Sequence, residues 1–144
     1  MRISDVLRVK GGDVVTVTPD TDVKRLLSVL AEHGIGAVIV SHDGNAIDGI
    51  ASERDVVRAL AERGADVLAE PVTAICTTDV RRADPQTQLD DIMRIMTEHR
   101  IRHLPVVVGS TLTGIVSIGD VVKNRIAELE SERSALSNYI SGSR

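Results

Sequence analysis

Two seven-residue stretches of this chain place a hydroxyl and a carboxylate three positions apart behind a glycine: Gly49-Ile50-Ala51-Ser52-Glu53-Arg54-Asp55 and Gly114-Ile115-Val116-Ser117-Ile118-Gly119-Asp120. In each, an apolar run ends at the serine and a helical pattern starts after it, which puts the serine at a helix N-cap. Free backbone N–H groups and the positive end of the helix dipole then face outward, a setting that favours an anion. Ser52 and Ser117 can donate a hydroxyl to an anionic oxygen, and Asp55 and Asp120 can each accept two hydroxyl donors at once. Arg54 adds a permanent cation to the first stretch. Gly119 stands at that place in the second, so the two sites need not take the same ligand. Capping alone would explain one such serine and aspartate; recurrence behind Gly49 and Gly114 favours ligand contact.

Most other reactive groups lack a partner. His99 and His103 have the spacing of a metal pair on one helix, but Pro105 and the apolar run from Leu104 to Val108 put His103 in a strand. Cys76 has no histidine beside it and reads as a core filler. No Gly-x-Gly-x-x-Gly follows a strand, and no Gly-x-x-x-x-Gly-Lys-Ser/Thr occurs. With no nucleophile, base and acid in a recognisable set, an enzyme is not expected. A cationic stretch does stand out, with Arg81, Arg82, Arg94, Arg100, Arg102, His99 and His103 between residues 78 and 103. A solvated face carries such charges too, yet Arg102 and His103 adjoin Leu104-Pro105 at the start of a strand. Lys10-Gly11-Gly12 is a second candidate, a cation on a flexible glycine pair.

A chain of 144 residues has room for one sizeable core or two half-size units, and its 42% hydrophobic and 26% charged residues are those of an ordinary globular protein. The net charge of −4 has the wrong sign for general nucleic-acid binding, and Tyr139 is the single aromatic residue, so stacking on bases is not expected. Any base held here lies between aliphatic side chains. Apolar runs such as Ala37-Val38-Ile39-Val40 are far shorter than the roughly 18 residues of a membrane span. No secretory leader is visible from Met1 to Asp5, and a lone cysteine forms no internal disulfide. The expected location is cytoplasmic, with neither membrane nor nucleic acid as a partner.

A repeat positions the two Ser/Asp stretches. Pro19 and Pro85 stand 66 positions apart (85 − 19), and at that offset Val23, Leu26, Leu27, Val29 and Leu30 fall on Leu89, Ile92, Met93, Ile95 and Met96. After a one-residue shortening the offset becomes 65 (114 − 49), and Gly49 to Val57 falls on Gly114 to Val122. Each copy predicts a short strand, a proline turn, a helix with one apolar face, two strands and a second helix. In the first copy Val15 and Val17 mark the strand, Pro19-Asp20 can cap the next helix, Gly34 stops it, and strands follow near 36–41 and 46–51 around Asp43-Gly44-Asn45. The helix from Ser52 ends at Gly64. The second copy predicts a strand near 80–83, a helix near 88–99, strands near 103–108 and 111–117, and a helix from about 118. Residues 3–9 and 71–76 read as lead-in helices, one before each copy.

The order of these elements, with Gly-h-h-Ser-x-x-Asp (h, apolar) at a helix start in both copies, resembles a tandem of cystathionine-β-synthase-type (CBS) domains over about residues 1–125. The lead-ins Ile3-Ser4-Asp5-Val6-Leu7 and Val72-Thr73-Ala74-Ile75-Cys76-Thr77 share the likeness, although Cys76 stands where methionine is common. The resemblance implies a mixed α+β fold: two β-α-β-β-α units packed sheet to sheet about a pseudo-twofold axis, as one module. Residues 1–64 and 65–125 form the repeats with their lead-ins, and 126–144 a helical extension. It also implies clefts for adenosine-containing ligands such as AMP, ADP, ATP, NAD or S-adenosylmethionine, bound as regulatory ligands with no cofactor required. Ser52, Arg54, Asp55, Ser117 and Asp120 are then the expected contacts to phosphate and ribose, joined by Lys10, Thr77, Arg102, His103 and Pro105. Asp120 is expected to matter more than Asp55, because the second repeat is richer in cations.

The implied role is a free-standing sensor that signals to an unidentified partner protein; the alternative is a structural dimerisation module with empty clefts. A homodimer is expected from the far end of the chain. No Gly or Pro interrupts it between Asp120 and Tyr139, and Val122, Ile126, Leu129, Arg133, Leu136 and Ile140 form a stripe opposite Glu128, Glu130 and Glu132. That stripe either packs back on its own module or crosses to a second subunit.

Overall fold

Apolar spacing and turn chemistry resolve into the expected order of elements in the computed structural model, which describes residues 1–142. Helix α1 (Ile3–Lys10) leads to β1 (Thr16–Val17), α2 (Val23–His33), β2 (Ala37–Val40), β3 (Gly49–Ser52) and α3 (Glu53–Arg63). Two 3-10 turns (Ala65–Ala69 and Val72–Ala74) then lead to α4 (Leu89–His99), β4 (His103–Val108), β5 (Thr111–Ser117) and α5 (Ile118–Ile140). Strand β2 pairs parallel with β1 and antiparallel with β3, while β4 and β5 form a separate antiparallel pair. Among the described residues no helix is long and apolar enough to cross a membrane.

Four local expectations shift. The lead-in helix expected over 71–76 is only the 3-10 turn Val72–Ala74. Asp22, not Asp20, caps α2 by accepting the Arg25 N–H at 2.7 Å; Asp20 lies within the turn and takes the Thr18 hydroxyl at 2.6 Å. The strand expected from residue 46 starts at Gly49, because the Asp43 carboxylate gathers the N–H groups of Asn45 (2.8 Å) and Ala46 (2.7 Å) and prolongs the turn. The strand expected near 80–83 shrinks to one bridge between Ala83 and Val106, since Arg81 and Arg82 offer nothing to a pleated, half-buried surface.

The apolar faces of the helices collect into two clusters, and the lead-ins cross between them. Ile3 and Val6 of α1 are buried with Leu89, Ile92 and Met96 of α4 and with Leu104, Val106 and Val116, all from the second repeat. Val72 is buried with Val23, Leu26, Leu30, Val38, Val40 and Ala51 of the first. Backbone bonds fix the exchange: Ile3 N–H donates to Thr87 O at 3.0 Å and Leu89 N–H to Met1 O at 2.9 Å, while Val72 N–H donates to Thr21 O at 2.7 Å and Val23 N–H to Glu70 O at 3.0 Å. Val38 and Val40 face the first cluster, so Ile39 points to the other face of its sheet; Pro105 does the same between Leu104 and Val106. Both residues are buried, at matching positions in the two repeats (105 − 39 = 66), where the sheets meet. Each repeat is therefore completed by the other's lead-in, which makes the pair one folding unit.

Ile3→Ala tests this. Removing a fully buried isoleucine should cost about 2–5 kcal/mol and lower the urea midpoint of the whole chain, although the residue lies near the N-terminus. A loss within about 0.5 kcal/mol would show the first segment to be a loose tail.

Candidate ligand clefts

The glycine of each Gly-h-h-Ser-x-x-Asp stretch is set by the crossing lead-ins. A Cβ at Gly49 would lie 2.9 Å from both Cys76 Sγ and Thr77 O, and one at Gly114 would lie 2.8 Å from Leu7 Cδ2. At Gly49, where the neighbour is backbone, only glycine lets the other repeat's lead-in pass this close; at Gly114 a larger residue would force the Leu7 side chain aside. Just beyond, Ser52 and Ser117 cap α3 and α5 in reciprocal boxes. Ser52 N–H donates to Asp55 Oδ2 at 2.9 Å and Asp55 N–H to Ser52 Oγ at 3.3 Å; the matching distances at Ser117 and Asp120 are 2.8 and 3.2 Å. The next N–H groups, of Glu53 and Ile118, are taken by Gly36 O and Arg102 O. The expected fan of free donors is thus smaller than foreseen: the strand edge and the box leave the N–H of Arg54 and of Gly119 unpaired among the described residues. Capping and ligand contact are compatible, because each carboxylate caps through Oδ2 and leaves Oδ1 without a hydrogen-bond partner there.

Two clefts open at these helix starts, each walled by both repeats. The first, of about 370 Å³, gathers Ser52, Arg54 and Asp55 with Thr77 and, from the second repeat, Arg81, His99, Arg100, Arg102 and His103. The second, of about 350 Å³, gathers Ser117 and Asp120 with Lys10, Asp13 and, from the first repeat, Val15, Gly34 and Gly36. Arg102 and His103 thus face Asp55, and the cationic stretch apart from Arg82 and Arg94 lines the first cleft; Arg94 pairs with Asp91 on α4. The expectation that second-repeat cations surround Asp120 is overturned, because the pseudo-twofold packing presents each strand entry to the opposite helix start. His103 also reaches the second cleft, its ring 3.4 Å from where a Cβ on Gly36 would sit, so it forms a wall shared by both.

The clefts differ in charge. Lys10 Nζ donates to Asp120 Oδ2 at 2.6 Å and to Ile115 O at 2.7 Å, which occupies the only permanent cation of the second cleft among the described residues. Burial pushes the Asp120 carboxyl up, but the Lys10 and Ser117 hydrogen bonds and the Lys10 charge outweigh it and hold the group below the usual aspartate value. Burial and the Lys10 charge keep His103 below the usual histidine value, with Glu53 and Asp120 opposing, so the ring is neutral at neutral pH. In the first cleft Arg54, Arg81, Arg100 and Arg102 have no ion pair among the described residues. Arg100 is the one non-glycine there with positive φ, 53°, at the end of α4 where α2 ends on Gly34 with φ 61°. That conformation costs an ordinary residue about 1–2 kcal/mol.

Of the residues singled out from sequence, Ser52, Arg54, Asp55, Thr77, Arg102 and His103 meet in the first cleft and Lys10, Ser117, Asp120 and His103 in the second. Pro105 lines neither; it is buried in β4 and its carbonyl accepts the Ala83 N–H at 2.9 Å. Asp13, Glu53 and Asp79 were missed. Asp13 and Asp79 stand at the repeat offset (79 − 13 = 66), a signal self-comparison carries. Cys76 is half-buried against the first core cluster, and burial pushes its thiol up, away from a reactive thiolate. His99 ends α4 and His103 opens β4, so the two do not share a helix. Among the described residues no cluster of three His, Cys, Asp or Glu could hold a metal.

Comparison with known proteins agrees with this architecture. The CBS domain family model matches residues 3–62 and 72–127. The CBS domain-containing protein YhcV of Bacillus subtilis is 33% identical over 125 residues, 87% of each chain. The crystal structure of the CBS-domain containing protein ATU1752 from Agrobacterium tumefaciens superposes with a TM-score of 0.85 at 43% identity, covering 87% of this chain and 99% of that one. CBS domain protein PAE2072 from Pyrobaculum aerophilum, solved in complex with AMP, superposes at 0.74 with 24% identity, over 83% of this chain and 89% of its own. The doubled motif, the crossed lead-ins and these matches together place the chain in the CBS domain family, as a pair of such domains.

Proposed function

We propose that this chain is a regulatory module that binds an adenosine-containing ligand between its repeats and passes the ligand's presence to a partner protein, without turning the ligand over. The observation that carries the reading is the build of the clefts: a Ser/Asp helix start from one repeat faces the strand entry of the other. A carboxylate oxygen beside an unpaired backbone N–H suits ribose hydroxyls and a phosphate together. PAE2072, with the same fold, holds AMP. An empty scaffold would have no use for four unpaired arginines around one cleft. The lone half-buried thiol of Cys76 suits a reducing compartment such as the cytoplasm. No cofactor is needed for this role.

The second half of the reading is assembly. Ile126, Leu136 and Ile140 of α5 are 52%, 60% and 75% exposed, so the stripe does not pack back on its own module. Val57 and Leu60 on α3 and Val122 on α5 add to the exposed apolar surface. A second copy covering these faces would bury what water disfavours.

Two measurements test these claims. Ligand at about 100 times its Kd should add about 2.7 kcal/mol and raise the melting temperature by several degrees, with the ligand recovered unchanged. No shift with AMP, ADP, ATP, NAD or S-adenosylmethionine would sink the ligand reading. Truncation after Arg125 should lower the mass seen by light scattering from dimer to monomer; a full-length chain that is already monomeric at tens of micromolar would remove the assembly claim.

A further inference from the structure

Resting on the adenosine-ligand reading, we propose that charge specialises the two clefts: the Ser52/Asp55 cleft is the site for a nucleoside di- or triphosphate, and the Ser117/Asp120 cleft is latched against that nucleotide by Lys10. Both clefts have the same Ser/Asp box, so the box does not separate them. What separates them is one position inside the motif and, above all, the wall supplied by the opposite repeat. At the repeat offset Arg81, Arg100 and Arg102 of the first cleft stand where the second has Val15, Gly34 and Gly36 (81 − 15 = 66). Arg54 stands where the second has Gly119. Each of these four differences puts a guanidinium in the first cleft and a group without charge in the second.

Guanidinium groups bind phosphate oxygens in pairs and stay charged. Here all four are free of ion pairs among the described residues, whereas Glu53, Asp55 and Asp79 are the acids beside them. A chain of two or three phosphates offers four guanidinium groups more oxygens than a single phosphate does. Arg100 gives independent support. It is held in the left-handed conformation that the first repeat gives to Gly34, a local strain with no ion pair to offset it. Strain kept at a cleft wall marks a residue retained for what it binds.

The second cleft has the opposite character. Lys10 is bound to Asp120 and to the Ile115 carbonyl, so the carboxylate that would take ribose hydroxyls already has an internal occupant. Asp13 lies alongside, and a phosphate chain entering there meets two acids and a cation that is spent on one of them. Lys10 also helps hold the Asp120 carboxyl below its usual value, so the latch persists as far down as mildly acidic pH.

Titration calorimetry with adenosine, AMP, ADP and ATP on the full chain, with no divalent cation added, tests both halves. ATP should bind at one site per chain, affinity should climb along the series, and Asp55→Ala should weaken ATP where Asp120→Ala does not. Arg100→Gly and Arg102→Ala should each weaken ATP about tenfold and leave adenosine within about threefold. Arg100→Gly should at the same time raise the melting temperature of the ligand-free protein by about 2–4 °C, which a residue without a binding role would do with no change in ATP affinity. Lys10→Met should raise adenosine from one site per chain to two and move the Asp120 carboxyl titration, followed by carbon NMR, upward. Equal affinity along the series, or two ATP sites in the wild type, would overturn the specialisation and leave the ligand reading intact. Unchanged stoichiometry and titration in Lys10→Met would overturn the latch. Binding of none of the four, with a melting shift also absent, would remove the ligand reading itself and this inference with it.

Discussion

The structure depends on one close approach, made twice: a lead-in segment lies directly on a glycine in the last strand of the other repeat. At Gly49 the neighbours are Cys76 and Thr77, and at Gly114 the neighbour is Leu7, all nearer than a Cβ would tolerate. At Gly49 a larger residue would meet the Thr77 backbone and push the lead-in off the sheet, and with it would go Val72 from one core cluster; at Gly114 it would force the Leu7 side chain aside, next to Ile3 and Val6 of the other. Neither unit of about 60 residues could spare that burial, since domains of this size are marginal. The glycine therefore joins folding to site building, because the residues just past it are the serine and aspartate that cap the helix and face the cleft.

Crossing has an electrostatic consequence. Each helix start looks onto the opposite repeat, so a change in one repeat alters the cleft whose motif lies in the other. Arg100 and Arg102 of the second copy, at the places of Gly34 and Gly36 in the first, charge the Ser52/Asp55 cleft, while among the described residues Lys10 is the one permanent cation at the Ser117/Asp120 cleft. An apolar core tolerates such divergence because none of these side chains enters it; Arg100 and Arg102 are exposed while Ile92, Met96 and Leu104 around them stay buried. Duplicated folding and divided chemistry are thus compatible in one short chain.

Much of this was legible in the residues. Val23, Leu26 and Leu30, with Leu89, Ile92 and Met96, occupy the buried helix faces that their spacing indicated, and Gly34 ends α2 in the left-handed conformation that only glycine enters without strain. The Ser/Asp pairs stand at helix starts because a capping box is a local pattern, visible within four residues. The crossing was not legible. Periodicity says that Ile3 and Val6 face a core but not whose, since both repeats offer equivalent apolar faces and chain order suggests the nearer one. The same blindness misassigned the arginines to Asp120. Sequence does not separate Asp22 from Asp20 as the cap of α2, because both lie in one turn and only the backbone decides which carboxylate meets a free N–H. Pro105 reads from sequence as a cleft residue because its strand enters the cleft, yet strand alternation turns it toward the layer between the sheets.

The two helices that begin at the clefts are also the ones with exposed apolar faces. Val57 lies five residues past Ser52 on α3, and Val122 lies five past Ser117 on α5, at matching positions and both open to solvent. A helix is stiff over such distances, so a shift at its cap moves its outer face with it. For α5, 23 residues carry that movement over about 34 Å. Helix α3 ends at Arg63 and has no such reach. The cleft with the free arginines therefore starts the short helix, close to the body of the module, while the cleft held by Lys10 starts the long one. Lys10 lies at the end of α1, and its bond to Asp120 ties α1 to the first turn of α5. The two clefts meet at His103, which lines both, with the arginines in one and the Lys10 and Asp120 pair in the other. On the proposed function, ligand state at the first cleft would reach α5 through that shared wall, by a rearrangement of charged side chains that leaves both hydrophobic cores in place.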